Sequence, residues 1–464
     1  MLTQIANRDS HPSFWLRVRE FAVPPSMIET ATARRAAGDW AGACAAAGFD
    51  VDLDLRSVAR THGHAYTARI RTDLRHLAPD LLRWHMPRIA PHGLLRPGLT
   101  IALAAYDTVG RDGAPPLRLV VRTPPAWADA GQRISLALWD GSRAGAGARR
   151  HPHPHPNRRF RLDLHRHLWD ARRTGELRTR SGAGTRPADP FDVDPEVRER
   201  VPPGRGCALD RWGAEAETLL RAEGRTDGRV AVRFGSRHRL HLDLAADRDG
   251  PRSLRVAEPD TRDGAPAPPI LPDAATWVLP DLELLRTGAI EPGLLHPLVV
   301  AALVPDHTPA GDPPPPYEAG RPRLVECRGA RHRIGLVDGV LVPLDHDPGE
   351  IRREELLVAL TGTPLPCLRA IDEAHRHPDC LAGVRERLDH GDTAGALAVV
   401  EGLLGPGAVL RSGALRDELE AAARRRITYG LFRADLIGPG PVRYRPDHTL
   451  IRDPHARPRQ PNFR

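Results

Sequence analysis

The chain holds 464 residues, enough for about three domains, and carries a formal net charge of +8. All 67 of its basic residues are arginine. The lack of lysine excludes a P-loop, a protein kinase, a pyridoxal or Schiff-base enzyme and a Ser-Lys hydrolase in their usual forms.

Residues 26–90 read as helices. Pro25 suits a first helical turn, Gly38 a stop, and Asp39 a cap for "DWAGACAAA". Leu55, Ala59, Tyr66, Ile70, Leu74 and Leu77 recur at near-helical spacing. From Leu99 the period shortens. "LTIALAAYD", "LRLVVRT" and "RISLALWD" predict three strands of an antiparallel meander, completing an N-terminal α+β domain over 1–140.

Residues 141–205 differ. Fifteen arginines stand against eight carboxylates, nearly the whole charge excess, and the stretch is poor in Leu, Ile, Val and Phe. Such a composition predicts an exposed, disordered basic arm. "RRHPHPHPNRRF" lies inside it. On a polyproline II helix His151, His153 and His155 point apart, which disfavours a metal site. As a grip for an acidic partner or for phosphates, the arm offers Arg149, Arg150, Arg158, Arg159, Phe160, Arg161, Arg166 and Trp169.

A mixed α+β domain is expected over 206–304, with a hairpin at Gly235-Ser236 and helices in "DLELLRTGAI" and "PGLLHPLVVAAL". A Pro-rich linker follows at 305–322. The last unit, 323–438, reads as a β meander plus helices, and 439–464 as a disordered basic tail.

The meander "RLVECRGARHRIGLVDGVLVPLDHD" has a hairpin signal at Asp338-Gly339. A two-residue turn there sets His332 opposite Asp345, and one at Gly329-Ala330 sets Cys327 opposite His332. Cys327, His332 and Asp345 then form a row, the parts of a thiol-dependent hydrolase or transferase. Val325, Ile334, Leu336 and Leu341 share its face.

One pattern occurs twice. "GDWAGACA" at 38–45 and "GDTAGALA" at 391–398 both read G-D-x-A-G-A-x-A, a helix stop followed by an aspartate cap. No repeat period surrounds either copy.

The five cysteines, Cys44, Cys207, Cys327, Cys367 and Cys380, show no C-x-x-C spacing. This argues against a disulfide scaffold or zinc ribbon and for a reducing cytoplasm. No secretory leader and no apolar run long enough for a membrane span is evident. The expectation is thus an α+β multidomain protein without metal or cofactor: a non-enzymatic cytoplasmic adaptor that binds macromolecules. Helical-hairpin surfaces and the arm would engage an acidic protein. Nucleic-acid binding through the arm and thiol chemistry at Cys327 are the alternatives.

Overall fold

In the computed structural model the described residues are 11–106, 116–129, 131–141, 151–184, 191–202, 206–235, 238–245, 252–258, 267–307, 323–327, 329–337, 340–361, 365–376, 381–405, 409–437, 442–444 and 450–452. The fold is α+β and multidomain. Two compact units divide it: residues 1–127, 133–310 and 439–464 in the first, 128–132 and 311–438 in the second. Among the described residues no helix is long and apolar enough to cross a membrane.

The first unit begins with α1 (His11–Arg17), α2 (Pro25–Ala36), α3 (Trp40–Ala46), α4 (Leu55–His62), α5 (His64–His76) and α6 (Pro79–His85). The expected meander is present as β2 (Thr100–Tyr106), β3 (Leu117–Arg122) and β4 (Ile134–Trp139), paired antiparallel in that order. A fourth strand, β1 (Phe49–Asp52), joins β4 in parallel. Its residues alternate apolar and acidic, Phe49-Asp50-Val51-Asp52, a strand signal that the helical reading of 26–90 passed over. Ile70, Leu74, Leu81, Leu82 and Trp84 bury the helices against Ile101, Leu119 and Leu136 of this sheet.

A second sheet runs β5 (Phe191–Val193), β8 (Arg252–Val256), β7 (Arg239–Ala245) and β6 (Gly228–Arg233) in that order. On it packs α7 (Leu209–Ala222), through Trp212, Ala216, Leu219 and Leu220. The expected helices near 280 and 297 are Pro280–Arg286 and Pro297–Leu303.

Between these sheets lies the stretch expected to be a solvated arm, and its described part, 151–184, is packed. Phe160, Leu162, Leu168, Trp169 and Leu177 belong to the core of the first sheet. The peptide N–H of Asn157 donates to Thr100 O at 2.8 Å, and Ala102 bridges Arg161, so the stretch covers the edge strand β2. Further on, Ala78 N donates to Trp169 O (2.8 Å) and Ala171 N to His76 O (2.9 Å).

The arm reading is therefore corrected, for two physical reasons. Its few large apolar residues, Phe160, Leu162, Leu168, Trp169 and Leu177, are all buried, and His151, His165 and His167 are buried with them. The arginines, tallied only against carboxylates nearby in sequence, find partners far along the chain. Arg166 and Arg172 both bind Asp73, at 2.5 and 2.8 Å. Arg161 reaches Glu223 (2.8 Å), Arg180 reaches Glu215 (2.6 Å) and Arg159 reaches Asp273 (2.5 Å). Burial alone would raise the Glu215 carboxyl, but hydrogen bonds from His165 and Arg180 hold it well below the usual range. Residues 1–127, 133–140 and 206–304 consequently belong to one unit joined through this seam rather than to two domains on a tether.

The second unit has a three-stranded antiparallel sheet, β9 (Arg323–Cys327), β10 (Ala330–Val337) and β11 (Val340–Pro343). Its helices are α8 (Pro348–Thr361), α9 (Pro366–Arg376), α10 (Leu381–His390), α11 (Thr393–Leu404) and α12 (Ala414–Arg433). Two small cores serve it: Val384, Leu388, Val400, Leu404 and Leu415 among the later helices, and Cys327, Ile334, Leu365, Cys367 and Ile371 between sheet and α9. Residues 308–322 and most of the tail fall outside the described residues; within the tail, Val442–Tyr444 pairs with Leu450–Arg452.

The two G-D-x-A-G-A-x-A copies fold alike. Asp39 accepts from Gly42 N at 2.8 Å, and Asp392 from Gly395 N at 2.9 Å. Gly38 and Gly391, with φ of +79° and +88°, end the preceding helices. The second glycine is also explained, since a Cβ at Gly42 or Gly395 would lie 2.1 Å from the capping carboxylate. An arginine five residues upstream completes each corner: Arg34 meets Asp39 at 3.1 Å and Arg387 meets Asp392 at 2.9 Å.

Candidate metal centre

β10 and β11 pair in the expected register, Val337 opposite Val340 and Ile334 opposite Pro343. The first hairpin turns one residue earlier than expected. Cys327 faces Ala330, Val325 faces His332, and Gly329 takes a φ of +78° in the connection. The shift in pairing is two residues, so it preserves sides. Cys327 and His332 remain on one face, as diagonal rather than direct neighbours.

Asp345 does not join them. The paired segment ends at Pro343, and the chain turns through 344–346. The Asp345 carboxylate there accepts the Arg333 peptide N–H at 2.7 Å and the Arg333 guanidinium at 2.7 Å. These hydrogen bonds hold its pKa down to about 2. The expected Cys-His-Asp row is thus broken, because the straight ladder that would align it stops two residues short.

The same turn brings in His346. Its Nε2 lies 2.6 Å from His332 Nδ1. Cys367, in the first turn of α9, packs in the same small core as Cys327 and hydrogen-bonds the Cys327 thiol. One ligand atom from each of Cys327, His332, His346 and Cys367 lies within 4.8 Å of all the others. Both cysteines are fully buried, and the His346 side chain is 3% exposed. Burial, then the neighbouring Cys327 thiol, push the Cys367 thiol up to about 12. A thiol so disfavoured as an anion is a poor nucleophile, whereas a cation supplies the charge that lets it ionise.

The donor set fits zinc. Two sulfurs and two imidazole nitrogens form the closed tetrahedral set of structural zinc sites. Tetrahedral bonding at ~2.0–2.1 Å to nitrogen and ~2.3 Å to sulfur needs donor separations of roughly 3.3–3.8 Å; all four donors lie within 4.8 Å, and the two imidazole nitrogens, 2.6 Å apart, would part slightly to admit the ion. His332 would bind through Nδ1 and His346 through Nε2, the nitrogens that face each other. The Glu350 carboxylate lies 3.6 Å from His346 Nδ1, on the side where an outer partner would orient the ring. Four protein donors leave no open position for a substrate or an activated water.

The other residues read from the sequence are dispersed or engaged. Arg149 and Arg150 lie outside the described residues. Arg159, Arg161 and Arg166 are in the ion pairs given above. Phe160 is buried under Arg159, whose guanidinium lies 5.4 Å from the ring centroid. Trp169 is fully buried, donates from Nε1 to Leu162 O at 3.0 Å and lies 4.7 Å beneath the Arg166 guanidinium. Arg158 is exposed. His346 and Cys367 escaped the sequence reading. The spacing C-x4-H-x13-H-x20-C contains no short ligand pair. The available signals were a histidine one place beyond Asp345 and a cysteine after the helix-starting Pro366.

The fold and this centre define an α+β protein with a closed Cys2His2 donor cluster. No family model, no curated protein and no solved structure matches the chain.

Proposed function

We propose that the protein is a non-enzymatic macromolecule-binding protein whose second unit is held together by a structural zinc ion. The observation that carries the reading is the meeting of Cys327, His332, His346 and Cys367 within 4.8 Å. The local core supports it. Among the described residues, Ile334, Leu365 and Ile371 alone join the two cysteines as buried members between sheet and α9. So few aliphatic side chains give a small module little stability, and metal binding adds folding free energy. A closed donor set argues for scaffolding over catalysis. The free cysteines agree with a reducing, cytoplasmic setting.

The surface offered to a partner is the exposed side of α12. Ala423, Ile427, Gly430, Leu431 and Ala434 follow one another at helical spacing and are exposed, Ile427 to 63%. Arg424, with its side chain 72% exposed, and Arg426 border the stripe. An apolar stripe beside arginines suits an acidic, amphipathic segment of another protein. Arg159, Arg161, Arg166, Arg172, Arg173 and Arg180 are ion-paired within the chain, which favours this reading over phosphate gripping, while Arg158 and Arg178 stay exposed.

Titration of the full-length reduced protein with zinc, against a chromophoric chelator, tests the zinc reading. One ion per chain is expected, with affinity weakened ~100-fold or more by Cys367→Ser or His346→Ala and unchanged by Asp345→Asn. Absence of zinc uptake, or uptake equal in all four proteins, would overturn it.

A further inference from the structure

The two sulfurs of the centre are also a latent disulfide. We propose that a peroxide-class oxidant joins Cys327 to Cys367 and expels the zinc, making the centre a reversible redox latch on the head of α8; this rests on the zinc reading above. The geometry carries it. Both cysteines are free and fully buried, their sulfurs lie within 4.8 Å, and they are in mutual hydrogen-bond contact. The other described cysteines, Cys44 and Cys207, belong to the first unit.

Placement of the four donors predicts an asymmetric outcome. The sulfurs join β9 to α9, and a disulfide keeps that join. The nitrogens join β10 to His346, two residues before α8, where the ion replaces a direct ring-to-ring hydrogen bond of 2.6 Å and adds to the Asp345–Arg333 pair. Oxidation therefore removes the metal tie and loosens the segment entering α8, which then rests on those weaker bonds, while leaving the sheet tied to α9.

The chemistry balances. One thiolate attacks the peroxide, so that an S–O bond forms and the O–O bond breaks. One water leaves after protonation, and a sulfenic acid remains. The second thiolate attacks that sulfur, the S–S bond forms, the S–O bond breaks, and the hydroxyl leaves as a second water. Two thiolates, one peroxide and two protons thus give a disulfide and two waters. The sulfurs are oxidised, the peroxide oxygens are reduced, and zinc departs as the divalent ion.

The test uses full-length, zinc-loaded protein treated with hydrogen peroxide. Expected are release of the bound zinc to a chromophoric chelator, loss of two free thiols, and a 327–367 cross-link on peptide mapping. Dithiothreitol with added zinc restores the original state. Amides over 344–350 are expected to exchange faster in the oxidised protein, while those over 366–370 keep their protection. A Cys44→Ala/Cys207→Ala variant is expected to behave identically. Reduced protein that takes up no zinc overturns the zinc reading and the latch with it. Zinc uptake followed by unchanged thiols under peroxide overturns the latch alone, as does zinc release with a cross-link to any other cysteine or with none.

Discussion

Acid should loosen the first unit through His151, and the size of the effect follows from where that ring sits. His151 is 7% exposed. Its Nε2 donates to Thr123 O at 2.9 Å, and its Nδ1 lies 2.9 Å from His153 O and 3.3 Å from the His153 N–H. Burial lowers its pKa from 6.5 to about 4, against the opposing pull of the Thr123 carbonyl. Between those values the unfolded chain binds a proton that the folded chain refuses. Stability is therefore full above pH ~6.5 and falls as pH drops toward 4. The complete loss is about 3 kcal/mol, of which about 2 kcal/mol is gone by pH ~5. All eight tryptophans lie in the first unit, so tryptophan emission during urea unfolding reports on that unit. In His151→Gln this titration is absent, and the variant is expected to gain about 2 kcal/mol relative to wild type between pH ~7.5 and ~5. His85, also lowered to about 4, is present in both proteins, so its slope cancels. Parallel pH dependences in the two proteins would refute the burial of the His-Pro stretch.

The packed seam should also show in proteolysis and in core truncation. Trypsin is expected to spare the arginines of 159–180 under native conditions, and rapid cleavage there would contradict the packing. Trp169→Ala empties a fully buried site and should cost about 3–5 kcal/mol by the same fluorescence assay; a loss under about 1 kcal/mol would argue against it. At the repeated corner, Asp392→Ala removes a cap and an ion pair and should cost the second unit about 1 kcal/mol of thermal or urea stability. Asp39→Ala should cost the first unit a similar amount, since the two corners share their geometry.

Much of the architecture was legible because it is written in local chemistry. The meander over 100–139 shows in its apolar and β-branched runs between Gly/Pro turns, and the β10–β11 register in the Asp338-Gly339 signal. Both aspartate caps show in a short motif that needs no distant contact. What stayed hidden depends on residues far apart in the chain. Asp73, Glu215, Glu223 and Asp273 neutralise arginines 35 to 114 positions away, so a segment-by-segment tally of charge mistook a buried seam for an arm. The centre was half legible. Cys327 and His332 were rightly placed on one face of the sheet. Their remaining partners were not, because a bend after Pro343 exchanges Asp345 for His346 and because Cys367 arrives on a helix from outside the sheet.

The central claim is that two sulfurs and two imidazole nitrogens of one chain meet around zinc. X-ray absorption at the zinc edge of the full-length reduced protein tests it most directly. The account predicts two sulfur neighbours at ~2.3 Å and two nitrogens at ~2.0–2.1 Å, with one sulfur lost in Cys367→Ser. A shell of light atoms without sulfur, or the same shell in wild type and Cys367→Ser, would contradict it.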